Sequence, residues 1–396
     1  MVLVQLLPER GAPQAFIMFM SVIFSLSSYT LAFDPYKYPR KTLQCDAVRR
    51  EPVLEQVKID LSYVDIGDAA HEAIIMIHGW PSVWSTWSRQ IEALENENYR
   101  LIVPDLRGFG YSTHPDDPKS SHTMGDLTQD LVCILDNAKA PSAVCIGHDW
   151  GSQVCYEAAR MRPDLFTAVV GLVVPYIPPA GPYVSVKQFV PELPKLAYQT
   201  FFDRQTEEAA IELNKDTRRS LRTTLRTVDS PPPDDFLKSE TSFMDAWKDF
   251  DEIPPIPFFT PAEEDYMVAS FERQGFLYTF GFYTEENRQL SHALSHEHGN
   301  FTLPQPVLSI LPTKVRSILE TLLITVDNKF EKDPVADWGA AMKLLNSTAF
   351  LPDLTVKFVE GAHWIHLENP EPVNKAIKDW LRTLPSRSRR HVVDEL

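Results

Sequence analysis

The chain has 396 residues, a formal charge of −16 and an apolar fraction ordinary for a soluble protein, enough for a core domain carrying a large insertion. Its acidic balance argues against nucleic acid or an anionic membrane surface as partner, because both demand basic surface. A small neutral or apolar substrate is compatible with that charge. The four cysteines show no C-x-x-C or His/Cys ligand spacing. They suggest no disulfide framework: Cys133, Cys145 and Cys155 read as small buried hydrophobes, and Cys45 as exposed.

The N-terminal residues 15–32, AFIMFMSVIFSLSSYTLA, are uncharged and close to the length of a membrane span. Their serines weaken a span, and Thr30-Leu31-Ala32 resembles a small-x-small cleavage site. Residues 1–35 are therefore expected to be a signal- or anchor-like segment, with N-terminal membrane association as one outcome. The tail, 386–396, ends in VDEL, one residue from the K/HDEL retrieval signals, and sequons stand at Asn300 and Asn346. Together these predict the endoplasmic reticulum or secretory pathway, with a cytoplasmic enzyme as the alternative.

Between these ends, residues 53–64 (VLEQVKIDLSYV) alternate apolar and polar positions, as a hairpin strand does. Short apolar runs follow at 73–78, 100–105, 143–148 and 168–175, separated by helical patterns such as TMGDLTQDLVCILDNA. Apolar strands alternating with helices predict a mostly parallel sheet flanked by helices, an α/β class of fold. The alternation stops after Pro175. Residues 176–304 are rich in proline and aromatic residues, and the strand signal resumes at 318–326 and 354–361, before an amphipathic helix, EPVNKAIKDWLRTL. The expected organisation is a core of 36–175 and 305–385, interrupted by a mainly helical lid, 176–304.

Three motifs carry chemistry. In Gly147-His148-Asp149-Trp150-Gly151 an apolar strand ends in a tight turn before a helix, the context in which many hydrolases hold a nucleophile in the pattern G-x-S-x-G. The central residue here is Asp149. A carboxylate is ionised at neutral pH and needs no general base before attacking saturated carbon, and the ester it forms is itself hydrolysable. Asp149 thus suits displacement at carbon better than acyl transfer. His78-Gly79-Trp80-Pro81 follows an earlier strand and can aim N–H groups at an oxyanion, Trp80 giving one and Trp150 the other. Its X–Pro bond is a candidate cis peptide. His363, in FVEGAHWIHLENP, follows the last strand, the position of a general base; His366 is its rival.

Read together, HGWP, DLRGFGYS, GHDWGS and EGAHWIHLENPEPVN resemble the epoxide hydrolases of the α/β-hydrolase fold, of the microbial and soluble type, from about residue 36 to 385. The resemblance implies that fold with an inserted helical lid, an epoxide substrate and water as partners, and no cofactor or metal. It implies no oligomeric state. Within it, two lid tyrosines hold the epoxide oxygen: LAYQTFF selects Tyr198 and GFLYTFGFYTEENRQL selects Tyr283. His78, Pro81 and His148 are expected to line the substrate site. The acid that orients His363 is expected at Asp333, by the local match of KDPV, with Asp327 as the alternative. Dehalogenases share the aspartate nucleophile, but a halide leaves without a proton, whereas an opening epoxide needs one. A haloalkane dehalogenase and a non-catalytic binding or scaffold protein of the same fold are the competing readings. His292, His296 and His298 in SHALSHEHGNF read as a solvated lid loop rather than a metal site.

Overall fold

Fully apolar strands need cover on both faces, and the computed structural model, which describes residues 33–313 and 337–385, has this arrangement. Eight strands form one sheet: β1 (Arg40–Arg49), β2 (Glu55–Ile66), β3 (Glu72–Ile77), β4 (Tyr99–Pro104), β5 (Ala143–His148), β6 (Phe166–Leu172), β7 (Val307–Thr313) and β8 (Leu354–Glu360). Their spatial order is β1-β2-β4-β3-β5-β6-β7-β8. The β1–β2 and β2–β4 pairs are antiparallel and all the others parallel. Successive side chains of β3 and β5 enter opposite cores. Ile75, Ile77 and Cys145 join one apolar cluster, and Ile74, Met76, Val144 and Ile146 the other, as period-two alternation in a two-faced strand requires.

Helices α1 (Ser88–Leu94), α2 (Met124–Ala138) and α3 (Trp150–Met161) lie between the early strands in the chain; α9 (Trp338–Leu344), α10 (Ile365–Glu368) and α11 (Pro370–Leu381) come late. A capping box closes the start of α2: the Thr123 hydroxyl accepts from the Asp126 N–H, and the Asp126 carboxylate accepts from the Thr123 N–H. Arg107 of the DLRGFGYS motif is fully buried and spans Asp130 of α2 with two bonds of 2.6 and 2.7 Å.

Between β6 and β7 the chain leaves the sheet and forms α4 (Ala197–Arg204), α5 (Thr206–Asn214), α6 (Thr217–Thr224), α7 (Pro261–Glu272) and α8 (Glu285–His298), with a 3-10 turn at Leu277–Phe282. These elements make the inserted helical cap. Its aromatic residues Tyr198, Phe202, Phe243, Phe280 and Tyr283 share one apolar cluster with Ile75 and Ile77 of the sheet. Trp80 is the junction. Its ring meets Phe202, Phe243, Phe276, Phe280 and Tyr283 at centroid distances of 5.1–6.4 Å, and its indole N–H donates to the Thr279 hydroxyl at 3.0 Å.

Several expectations need correction. All four cysteines are paired: Cys45 of β1 with Cys133 of α2, and Cys145 of β5 with Cys155 of α3. Cys45 is buried, not exposed. Its strand, β1, lacks a clear alternation and was not expected. The 292–298 segment is not a loop: His292, His296 and His298 lie on α8, which ends at Gly299 in the left-handed region. The strand after the cap is β7, Val307–Thr313, a short apolar run that proline at 304, 306 and 312 disguises. The strand expected at 318–326 lies outside the described residues, as do residues 1–32, Asp327, Asp333 and the VDEL tail.

Candidate active site

The site is built where β3 and β5 end side by side. At the end of β5 the backbone reverses into α3 through Asp149, whose φ is 55° and ψ −124°, a conformation that costs a non-glycine residue free energy and persists only when its surroundings impose it. The glycines on either side make the reversal possible. A Cβ at Gly147 would overlap the Gly151 carbonyl, and one at Gly151 the Ile77 carbonyl of the neighbouring strand. The Asp149 carboxylate does not cap its own helix. It points away from the sheet, towards the cap.

Four residues surround that carboxylate. The Trp80 backbone N–H donates to Asp149 Oδ1 at 2.9 Å, a contact that depends on Gly79, where a Cβ would strike the carboxylate. The Trp80–Pro81 bond is cis, as the motif suggested. His363 Nε2 stands 3.4 Å from Asp149 Oδ2. Burial alone would raise the pKa of Asp149. The hydrogen bond and charge of His363 outweigh it, with His148 and the Trp80 N–H contributing, so the carboxyl is held below its usual value and ionised.

Facing it from the cap are Tyr198 on α4 and Tyr283, immediately before α8, both buried. Their rings lie 5.5 Å apart at 65°, so the two phenols are direct neighbours above Asp149. Burial first, then the charge of Asp149 on Tyr198 and of both Tyr198 and Asp149 on Tyr283, raises both phenols above their ordinary pKa. They are therefore neutral donors at physiological pH. Trp80, Asp149, Tyr198, Tyr283 and His363 line one cavity, completed by Thr224, Phe236, Leu237 and Trp364. Its volume is about 20 Å³, room for about one water molecule.

The other expected residues sit behind this cavity. His78 is fully buried; its Nδ1 contacts the Gly79 carbonyl at 2.9 Å and its Nε2 accepts from the Leu106 N–H at 3.0 Å. His148 Nε2 bonds the His363 carbonyl at 2.8 Å. Neither side chain, nor Pro81, is among the residues that line this cavity; the two histidines bond the backbone behind its walls. Trp150 stacks on Phe282 at 5.3 Å and meets Tyr283 edge-on at 5.7 Å. His366, the rival base, packs 4.2 Å from the His148 ring; burial first, then the neighbouring His148 and His363, hold it neutral. Three other lid tyrosines have structural partners: Tyr176 donates to the Phe301 carbonyl, Tyr266 accepts from Trp84, and Tyr278 stacks on His114. Among the described residues no group of His, Cys, Asp and Glu is arranged to hold a metal ion.

Sequence reasoning missed Thr224, Phe236, Leu237 and Trp364. The first three come from irregular cap chain or helix ends that carry no motif. Trp364 stands beside His363, and its position there was the available signal.

Residues 72–370 match the alpha/beta hydrolase fold family, and with the sheet order and the strand–turn–helix at Asp149 they define the class: the chain belongs to that family. Among curated proteins it is similar to bifunctional epoxide hydrolase 2 of Rattus norvegicus, 28% identical over 328 residues, 82% of this chain and 54% of that protein. It thus spans about half the length of that relative. It is 26% identical over 342 residues to epoxide hydrolase A of Mycobacterium tuberculosis, covering 85% of this chain and 98% of the relative. Among solved structures, an epoxide hydrolase from an endophytic Streptomyces superposes with a TM-score of 0.67 at 25% identity, over 86% of this chain and 95% of that one.

Proposed function

We propose that this protein is an epoxide hydrolase that forms a vicinal diol through an ester on Asp149. The observation that carries the reading is the ionised Asp149 carboxylate and two neighbouring, neutral phenols lining one cavity. A nucleophile and a pair of acids opposed in this way match what ring opening needs and what halide departure does not. The relatives' printed activity agrees with it.

Asp149 Oδ2 attacks an epoxide carbon; Oδ1, held by the Trp80 N–H, becomes the ester carbonyl oxygen. The breaking C–O bond leaves its electrons on the epoxide oxygen, which takes a proton from the Tyr198–Tyr283 pair. His363 then removes a proton from water as it adds to the ester carbonyl, while the Trp80 and Trp150 N–H groups stabilise the oxyanion. Collapse expels the second hydroxyl with the proton from His363, and the remaining acid proton restores the tyrosine. One water is consumed per diol. Asp333, with Asp327 as the alternative, is our candidate for the acid orienting His363. The lid is proposed to span 176–304, within a core of 36–175 and 305–385.

Single-turnover reaction in ¹⁸O-labelled water tests the covalent step. Label is expected in Asp149 after one cycle; an unlabelled Asp149 beside labelled diol would refute it. Asp149→Asn is expected to lose turnover while keeping its fold.

We also propose folding in an oxidising, secretory-type compartment, supported by the pairing of all four cysteines. Among the described residues no helix is long and apolar enough to cross a membrane. Thiol counting on protein quenched at lysis checks the proposal: no free thiol is expected, and four reactive thiols would overturn it.

A further inference from the structure

A cationic side chain stands behind the tyrosine pair. Arg288, on α8 and five residues beyond Tyr283, is only partly exposed. Its Nε donates to the Phe282 carbonyl at 2.8 Å and one terminal nitrogen donates to Gln199 Oε1 at 2.7 Å. Gln199 is buried beside Tyr198 on α4, and its Nε2 donates to the Tyr198 hydroxyl at 3.1 Å. The amide orientation is fixed by chemistry: a guanidinium can only donate, so Oε1 must face Arg288 and the N–H must face the phenol. The guanidinium also lies 5.1 Å from the Trp150 ring and 5.8 Å from the Tyr283 ring.

Among the described residues no carboxylate forms an ion pair with Arg288. Its nearest acid on the same helix, Glu285, is engaged by Ser185 and Gln289. The loss of hydration is not offset by a salt bridge, and burial depresses the guanidinium's affinity for its proton. Two hydrogen bonds and two aromatic rings hold the cation in place of a carboxylate.

We propose that Arg288 and Gln199 form a relay that strengthens Tyr198 as the acid for epoxide opening. The cation polarises the amide, the amide N–H bonds the phenol oxygen, and negative charge arriving there meets a stronger hydrogen bond. Both are positioning residues: they act through Tyr198 and touch no reacting atom. The relay belongs to ring opening alone, because ester hydrolysis runs on His363 and the backbone N–H groups on the other side of Asp149. The inference rests on the epoxide hydrolase reading.

Rapid-quench single turnover with styrene oxide, with the Asp149 ester and the diol measured by mass spectrometry, separates the two steps. Arg288→Met and Gln199→Leu are each expected to slow ester formation roughly tenfold and to leave the decay of the ester unchanged. Arg288→Lys, which keeps the charge but not the planar fork, should fall between wild type and Arg288→Met. Equal slowing of both steps, or unchanged ester formation in the folded Arg288→Lys and Gln199→Leu proteins, would overturn the relay. If Arg288→Met does not fold, those two variants decide. Failure of the wild-type enzyme to form any ester would instead count against the parent reading, and so is distinct from failure of the relay.

Discussion

At the scale of single residues, the tyrosines separate two chemistries that share a nucleophile. Each phenol can supply the opening oxygen with a hydrogen bond, and each lies within reach of the other. Removing one hydroxyl should therefore leave a partial acid, whereas removing both leaves none. Tyr198→Phe and Tyr283→Phe are each expected to cut kcat for diol formation by roughly 10²-fold, and the double variant by more than either. Steady-state diol assays on the three variants check this; a double variant no worse than a single one would mean that only one phenol acts. Both tyrosines are legible in the sequence only through their flanking segments. Their closeness to each other and to Asp149 depends on the approach of α4 to the turn before α8, which no local pattern encodes.

At the scale of elements, the cap segment 236–243 limits the room above Asp149. Leu237 lines the cavity with φ of 73°, a conformation unfavourable for a branched side chain, and its carbonyl accepts the Tyr198 N–H at 3.1 Å. The strain sits where the chain must both hold Tyr198 and close the cavity. Glycine fits this backbone without that cost. Leu237→Gly should keep the bond to Tyr198, widen the cavity and raise kcat/KM for bulky aryl epoxides relative to small alkyl ones by about tenfold or more, the scale of a few methylenes in an apolar pocket. Competition assays with paired substrates measure the ratio. The strand and helix signals of the core were legible because both faces of β3 and β5 are apolar; β1 was not, because its exposed edge carries mostly polar residues.

For the molecule as a whole, covalent and titratable groups set stability. The Cys45–Cys133 bond closes a separation of 88 residues and ties edge strand β1 to α2. Its removal in Cys45→Ser/Cys133→Ser should lower unfolding free energy by roughly 2–5 kcal/mol, as read by denaturant melts. Buried histidines add a pH dependence. Burial first, then the charge of Arg107, pushes His122 down to about 3, and His78 and His366 shift the same way, with burial the largest cause. Their folded pKa values lie below the unfolded one, so the unfolded chain binds protons that the folded chain refuses. Stability is then full above about pH 6.5 and falls as pH drops, by about 1.4 kcal/mol per unit for each such group. Melts at pH 7 and pH 5 should show the loss, and His122→Leu should flatten the slope by one group's share.

Taken alone, the sequence determined the alternation of strands and helices and its interruption after Pro175, and it put forward Asp149, Trp80 and His363 as candidates, because hydrophobic period and motif order are local properties of the chain. The tertiary structure decided what those residues face. It paired the four cysteines, which sit far apart or on different elements. It placed His78 and His148 behind the cavity, where their rings meet the Leu106 N–H and the His363 carbonyl. It also set a cation and an amide behind Tyr198. Such juxtapositions arise from how helices pack across the sheet, and packing joins residues that the sequence keeps far apart.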